Sequence, residues 1–448
     1  MRLSPRHSAA ALLALAAVGA CRGVFTRGPA GGPERVRVVM DTVRSDTAAA
    51  DTAFPMMPAP TRRAADRGPL VRVLLAAPAP SATLTATTRW TIVSRDGTNL
   101  TAGDASERWS ASIRQGQIRL ERASDGFSFV TPAPVALRTL DAAGFVGFGG
   151  RRYRGEIIVS ADGANLVVVN RLAVEDYLLG VVPLEIGNRA PQELAAVEAQ
   201  AIAARSYAHT HRARNASWDV RATIDDQVYG GVDVERTLTS RAVEETAGQV
   251  LYFGGRIADA PYHSTCGGTT AEPGEVWNGE GGAVYLRRVS DRIPGTNRFY
   301  CDQAPRFEWL REIGGDSVGV LVERYLRSRG RAASIGRVRD VRVASRTASG
   351  RVGVLAIDGA RGDATLRGNE IRYALRGPGG ELLNSTYFSV DVDGSGQGGV
   401  RRLVMRGHGY GHGIGMCQWG AIGRARAGQD ALTILRTYYP GTSVAIVQ

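Results

Sequence analysis

The sequence predicts an α+β fold: an antiparallel, β-rich core with a few packed helices, a groove assembled between segments, and a disordered tether ahead of it. Three observations carry this. Between Leu70 and Asn170, short runs rich in Val, Ile, Thr and Trp are punctuated by Asp-Gly and Gly turns, the pattern of antiparallel hairpins. After Asn170 the apolar spacing becomes helical, first in LAVEDYLLGVV and again in PQELAAVEAQAIAARSYA. Residues 22 to 68 are mostly Arg, Asp, Thr, Ala and Pro, with few large apolar side chains to bury.

At 448 residues the chain exceeds one ordinary core, and 44% hydrophobic content makes most of it globular. Its net charge is +12 and every basic residue is Arg, with no Lys. No basic run is interleaved with aromatics, so nucleic acid is not an expected partner. Attraction to an anionic polymer and a coding bias toward Arg both remain open.

The start of the chain has the layout of a secretory signal. Arg2 and Arg6 precede a short apolar run, Ser8 to Ala20, which ends in Val18-Gly19-Ala20-Cys21. The run is too short to span a bilayer. Its similarity to bacterial lipoprotein signals implies cleavage before Cys21, lipidation of that thiol and a membrane tether on the periplasmic side of the cell envelope. A plain signal peptide with an incidental cysteine is the alternative. The expected divisions are a signal peptide at 1–20, a tether at 21–69, a β-rich segment at 70–170 and a catalytic region at 171–446.

Taken in order, the ordered part opens with LVRVLL, TLTATTRWTIVS and SERWSASIRQGQIRLE, and reaches a hairpin between IIVS and LVVVN with its turn at Asp162-Gly163. A short helix is expected from Ala173 to Val182, ended by Pro183. Pro191 then opens a second helix, on which Leu194, Val197, Ala201, Ala204 and Ala208 form a narrow stripe that demands close packing. A helix near Glu235 to Ala247 is ended by Gly248, and a hairpin turns at Gly254-Gly255. His263 to Cys301 reads as a long functional loop. Beyond it come a helix in VGVLVERYLRSR, strands in RVRDVRVASRT, RVGVLAIDG and NSTYFSVDVDG, a short NEIRYAL helix, and a last helix capped by Asp430.

Four features could carry chemistry. Glu185 lies in a Pro-led, Gly-ended turn, PLEIG, between the two helices, where apolar neighbours would tune a carboxylic acid toward proton donation near neutral pH. A surface carboxylate favoured by a helix N-terminus is its bland counterpart. In GHGYGHG, alternate glycines favour an extended segment with His408, Tyr410 and His412 on one side, rather than a helical metal pair. Cys417 is placed at a helix N-terminus, which with His412 raises a Cys/His hydrolase as a further reading. In HSTCGG, a Cys266–Cys301 disulfide closing the long loop is the plain reading, worth about 3–4 kcal/mol. A zinc site using His263 and these cysteines is less favoured outside the cytoplasm, and the Cys spacing fits no compact zinc pattern. No metal and no cofactor is therefore assigned.

Together, EDYLLGVVPLEI, EAQAIAARSYA, the HSTCGG loop running to Val276-Trp277, and GHGYGHGIGMCQWGAIGRARAG ending in YYPGT resemble the stage II sporulation protein D family, whose members include peptidoglycan lytic transglycosylases and amidase enhancers. The resemblance spans roughly Val71 to Gly441. It implies cleavage of the MurNAc–GlcNAc bond in glycan strands stripped of stem peptides, with Glu185 as the single general acid/base. The alternative is a non-catalytic peptidoglycan-binding enhancer of an N-acetylmuramoyl-L-alanine amidase. By matched position, Arg205, Tyr207, His263, Ser264, Tyr410, His412 and Gln418 would line the groove, with Arg205 on the lactyl carboxylate of MurNAc. Some members bind zinc through His and Cys; this chain has no second His beside Cys266. The lipobox and tether also stand where sporulation members carry a spanning anchor, so sporulation itself is not implied.

Overall fold

The computed structural model describes residues 42–43, 68–213, 215–277, 282–394 and 396–447. The expected signal peptide, Cys21 with its lipid, and the tether as far as residue 67 lie outside the described residues, apart from Thr42–Val43, which pairs in parallel with the last strand.

The fold is α+β, with mostly antiparallel sheets. Two sheets form the N-terminal part. One runs across as Val220–Arg221, Leu70–Leu74, Asn165–Ala173, Glu156–Asp162, Val135–Thr139, Trp90–Val93 and Asn99–Gly103. The other runs as Arg151–Tyr153, Val146–Phe148, Ser81–Ala86, Trp109–Arg114, Gln117–Arg122 and Ser128–Thr131. Ser81–Ala86 buries only its alternate residues Ala82, Leu84 and Ala86, as a strand with one solvated face does. Asn165–Ala173 buries every residue after the first, because its second face is covered too, by a smaller cluster that includes Val167 and Val169 and that Trp218 packs against. Trp90 and Trp109 meet edge to face across the core, centroids 6.1 Å apart. The hairpin between the two longest strands of the first sheet turns one residue later than the Asp-Gly pair suggests. Asp162 pairs with Asn165, so Gly163 takes the first central position with φ +58°, where glycine is favoured.

Strand Asn165–Ala173 of the first sheet leads straight into α1 (Val174–Glu185). Here the expectation of a stop at Pro183 fails: the proline sits inside the helix, and Glu185 is its final residue rather than part of a turn. A proline so close to the end removes only the bond to the Leu179 carbonyl, while Ile186 still donates to Val182 at 3.1 Å and Gly187 leaves the helix at φ +77°. Pro191–Glu193 is a single 3-10 turn, continued by α2 (Leu194–His211). The small residues Ala196, Ala199, Ala201, Ala203, Ala204 and Ala208 are buried, which brings α1, α3 (Thr237–Glu245) and the strand Gln249–Phe253 close around α2. That strand pairs with Ser443–Val447.

Residues from 171 onward contribute to two buried clusters, one shared with the N-terminal sheets and one of their own. After α4 (Pro273–Val276), the chain builds a separate unit: Glu308–Gly314 and Phe388–Asp393 flank Arg402–His408, and Val338–Arg346, Val352–Gly359 and Ala364–Arg367 form a second antiparallel sheet. With α5 (Gly315–Ser328) and α6 (Glu370–Ala374) these strands bury their own cluster, including Val318, Val322, Leu355, Ile357 and Leu403. The chain then returns to the first core through α7 (Gln418–Arg426) and α8 (Ala431–Tyr438), the latter capped by Asp430, which accepts from the Thr433 amide at 2.7 Å.

Candidate active site

Glu185 ends α1 with 7% of its surface exposed. Its Oε1 accepts a hydrogen bond from the Val228 amide at 2.8 Å, and its carboxyl also meets the Gln418 side chain. Neither partner is charged. Desolvation therefore dominates, and it lifts the carboxyl to about 7 against the opposing pull of these two bonds. The loop that carries Val228 is pinned on both sides. Tyr177 of α1 donates to Gln227 Oε1 at 3.2 Å, while Gln227 Nε2 donates to the Tyr262 hydroxyl at 2.9 Å and the Ala204 carbonyl at 3.3 Å. Gly180 also lets this loop lie against α1: a Cβ there would meet Tyr229 at 2.5 Å and the Gly231 carbonyl at 2.9 Å.

Gln418, the first residue of α7, donates to Gln200 of α2 at 3.3 Å. The strand just before it, Met416–Cys417, pairs in parallel with Tyr262–His263, which sets His263 opposite Cys417. His263 and His412 are both buried, ring centroids 5.4 Å apart, and Trp277 lies 5.5 Å from His412 on a tilted plane. His412 Nδ1 accepts from the Ile414 amide at 3.0 Å, so its proton sits on Nε2, 2.8 Å from the Tyr262 carbonyl that accepts it. His263 Nδ1 lies 3.2 Å from the Ile414 carbonyl, and its Nε2 is buried without a hydrogen-bond partner. Burial holds both imidazoles neutral, His412 at about 3. Glu185, Gln418, His263 and His412 are thus brought into one neighbourhood through the Met416–Cys417 and Tyr262–His263 pairing.

Other expected site residues are placed differently. Arg205 has no exposed side-chain surface; it grips Glu175 of α1 at 2.7 and 2.8 Å and donates to the Val243 and Gln249 carbonyls at 3.2 and 3.1 Å. It is a clamp joining α1, α2 and α3, not a ligand for a lactyl carboxylate. Tyr207 is buried, donates to Asp226 Oδ1 at 3.0 Å and stacks on His211, so it holds the Val228 loop from behind. Ser264 accepts the Trp419 amide through its carbonyl at 3.0 Å. Tyr410 bridges Thr265 through the backbone and lies under Arg306, whose guanidinium carbon is 4.1 Å from the ring centroid. His408 packs between Phe307 and Tyr387, ring centroids 6.0 and 5.6 Å away. The expected Cys266–Cys301 disulfide is not formed: the two sulfurs lie 3.5 Å apart and all three described cysteines are free. Cys417 caps α7, accepting from the Gly420 amide at 3.3 Å.

Comparison with known proteins fits this arrangement. A family model described as "Stage II sporulation protein" matches residues 162–253, the stretch that contains α1, α2 and the Val228 loop. Stage II sporulation protein D of Bacillus subtilis is 25% identical over 301 residues, covering 62% of this chain and 76% of that protein. The chain belongs to the stage II sporulation protein D family. Among its relatives, an uncharacterized protein of Brachyspira hyodysenteriae is 31% identical over 298 residues, covering 66% of this chain and 73% of the relative. The amidase enhancer of Bacillus subtilis is 28% identical over 306 residues, 60% of this chain but only 40% of that protein. Residues 274–415, which include the second core, match a domain of unknown function.

In this member of the family, three contributors to the site went unseen in the sequence. The Val228 amide is backbone and has no residue-type signature; the Gly230-Gly231 pair beside it was the available hint of a close loop approach. Gln200, buried on α2, is a lone amide beside the stripe of small residues, with no motif to mark it. Arg189, four residues beyond Glu185, lays its guanidinium over Trp419, 5.3 Å to the ring centroid, with its Nε buried and unpartnered. That pair joins the segment after α1 to the residue after Gln418.

Proposed function

We propose that this chain is a peptidoglycan lytic transglycosylase that uses Glu185 as its single general acid/base, anchored to the membrane at the periplasmic side through Cys21. The observation that carries the reading is a carboxyl lifted to about 7 by burial, with only neutral hydrogen-bond donors on it. Such a group is protonated often enough at neutral pH to act as an acid, and its conjugate base is strong enough to take a proton back. Glu185 donates its proton to the glycosidic oxygen as the bond from MurNAc C1 to that oxygen breaks. The resulting carboxylate removes the proton of the same sugar's 6-hydroxyl while O6 bonds to C1. The proton returns to Glu185, the 1,6-anhydro sugar leaves, and neither water nor a second carboxylate nucleophile is consumed, unlike the two-carboxylate glycosidases.

Gln418 and the Val228 amide hold the carboxyl in place and stabilise its anionic form between the two proton transfers. Arg189 takes the role first expected of Arg205: its guanidinium carbon stands 5.3 Å over the Trp419 ring centroid and its Nε is unpaired, a charge placed to meet the lactyl carboxylate of a stripped MurNAc while the indole carries a sugar ring. The test is product analysis. Purified protein incubated with peptide-free glycan strands releases fragments ending in anhydro-MurNAc, seen by mass spectrometry as ends lighter by one water than hydrolytic ends.

A second reading is favoured by the likeness to the Bacillus subtilis amidase enhancer. In it the site binds strands without cutting them and stimulates an N-acetylmuramoyl-L-alanine amidase. Failure to release any anhydro end, together with faster peptide removal by an added amidase, selects this reading.

A further inference from the structure

We propose that Cys266, Cys301, Cys417 and Asp291 form a closed, structural zinc site, with a ligand set free of histidine. Their ligand atoms all lie within 4.8 Å of one another and all four residues are fully buried. The Cys266 sulfur is 3.5 Å from that of Cys301 and 3.3 Å from Asp291 Oδ2. With Zn–S bonds of about 2.3 Å, tetrahedral thiolates stand about 3.8 Å apart, so small adjustments close this cluster on one ion.

The surroundings are built for an anionic cluster around a cation. Asp291 Oδ1 is taken by the Tyr438 hydroxyl at 2.6 Å and by Arg424 at 3.1 Å, which turns Oδ2 toward the cysteines. Cys417 accepts the Cys266 and Gly420 amides at 3.2 and 3.3 Å, bonds that suit a metal-bound thiolate. Gly420 keeps the space open: a Cβ there would stand 2.1 Å from Asp291 Oδ2. Arg351 bonds the Cys266 and Thr269 carbonyls through Nη2, but its Nε and Nη1 are buried without a hydrogen-bond partner. A fully buried guanidinium left with unpaired donors calls for a nearby negative charge. Three thiolates and one carboxylate supply it, and the ion with the Arg351 and Arg424 charges balances them.

Thiolate-rich tetrahedral coordination selects zinc, and four protein ligands leave no open position for catalysis. The ion would tie the Tyr262–His263 strand, the loop through 291–301 and the start of α7 into one knot. Gln418, next to Cys417, and His263, opposite it, would take their positions from that knot.

The full chain, purified and dialysed against metal-free buffer, is expected to retain about one zinc per molecule by plasma mass spectrometry. Cys301→Ser and Asp291→Asn are expected to lose most of it. Because those variants can fail to fold, the wild type is also unfolded without reductant in the presence of an alkylating agent and a chromogenic chelator. Alkylation mapped to Cys266, Cys301 and Cys417, with zinc released as unfolding proceeds, supports the site. A Cys266–Cys301 cross-linked peptide, or three alkylated cysteines with no zinc released, overturns it. None of these readouts depends on glycan cleavage.

Discussion

Val228 donates its amide proton to Glu185 at 2.8 Å, from a loop that the hydrogen bonds of Gln227 hold between α1, α2 and Tyr262. The carboxyl is therefore held by neutral groups in a desolvated place. Its proton affinity follows from that place, and so do the expectations below.

The pH dependence of cleavage should be that of one acid. Around Glu185 the facing groups are the Val228 amide, the Gln418 amide and the Tyr177 phenol, which burial pushes well above its usual 10. Only Glu185 among them titrates between pH 5 and 9. We expect kcat/KM to fall as pH rises through about 7, approaching tenfold per unit beyond it. A profile whose falling limb lies near pH 4.5 would show a carboxyl that is not desolvated.

Stability should carry the same signature with a definite sign. The native carboxyl is raised from 4.5 to about 7, so the folded chain binds more protons than the unfolded one between those values. The contribution is fully present below pH 4.5 and is lost as pH rises through 7, a change of about 3 kcal/mol over the window. Glu185→Gln removes it. Chemical denaturation at pH 5 and pH 8 should show the variant gaining on wild type at the higher pH; an equal difference at both would count against the shift.

Arg205→Ala is expected to damage the fold rather than substrate affinity. It strips Glu175, a quarter exposed, of its guanidinium partner, leaving it the Gly248 amide alone, and takes one donor from each of two carbonyls, at a cost of about 3 kcal/mol. Tm should drop while KM of the folded fraction stays put. A raised KM with unchanged Tm would restore Arg205 to the binding site.

Arg189→Ala should do the reverse. Loss of one charge-assisted hydrogen bond raises KM roughly tenfold on strands bearing free lactyl carboxylates. Tm should hardly change, and strands with the carboxylate blocked should show no such loss. Equal KM effects on both substrates would remove Arg189 from carboxylate recognition.

What the sequence disclosed and concealed divides along physical lines. Hairpins, the second helix from Pro191, the Asp430 cap and the helix start at Cys417 were legible because each rests on local chemistry. Pro183 misled because a proline two residues from a helix end costs little, so Glu185 proved to be a helical residue. Arg205 misled because an arginine in an Ala-rich helix resembles a surface cation, whereas Glu175 and the carbonyls that bury it come from distant turns. Cysteine counting could not foresee that Cys417 meets Cys266 and Cys301, since strand pairing between 262–263 and 416–417 brings them together. The second core within 171–446 was hidden because its strands read like those of the first.

The most direct test of Glu185 as the general acid/base is Glu185→Gln assayed on peptide-free glycan strands, with anhydro-ended products counted by mass spectrometry. Gln keeps the shape and accepts the Val228 amide through its carbonyl oxygen, but its amide is no acid. Release should fall by at least about a thousandfold, with strand binding retained. Release of anhydro ends at the wild-type rate would contradict that role.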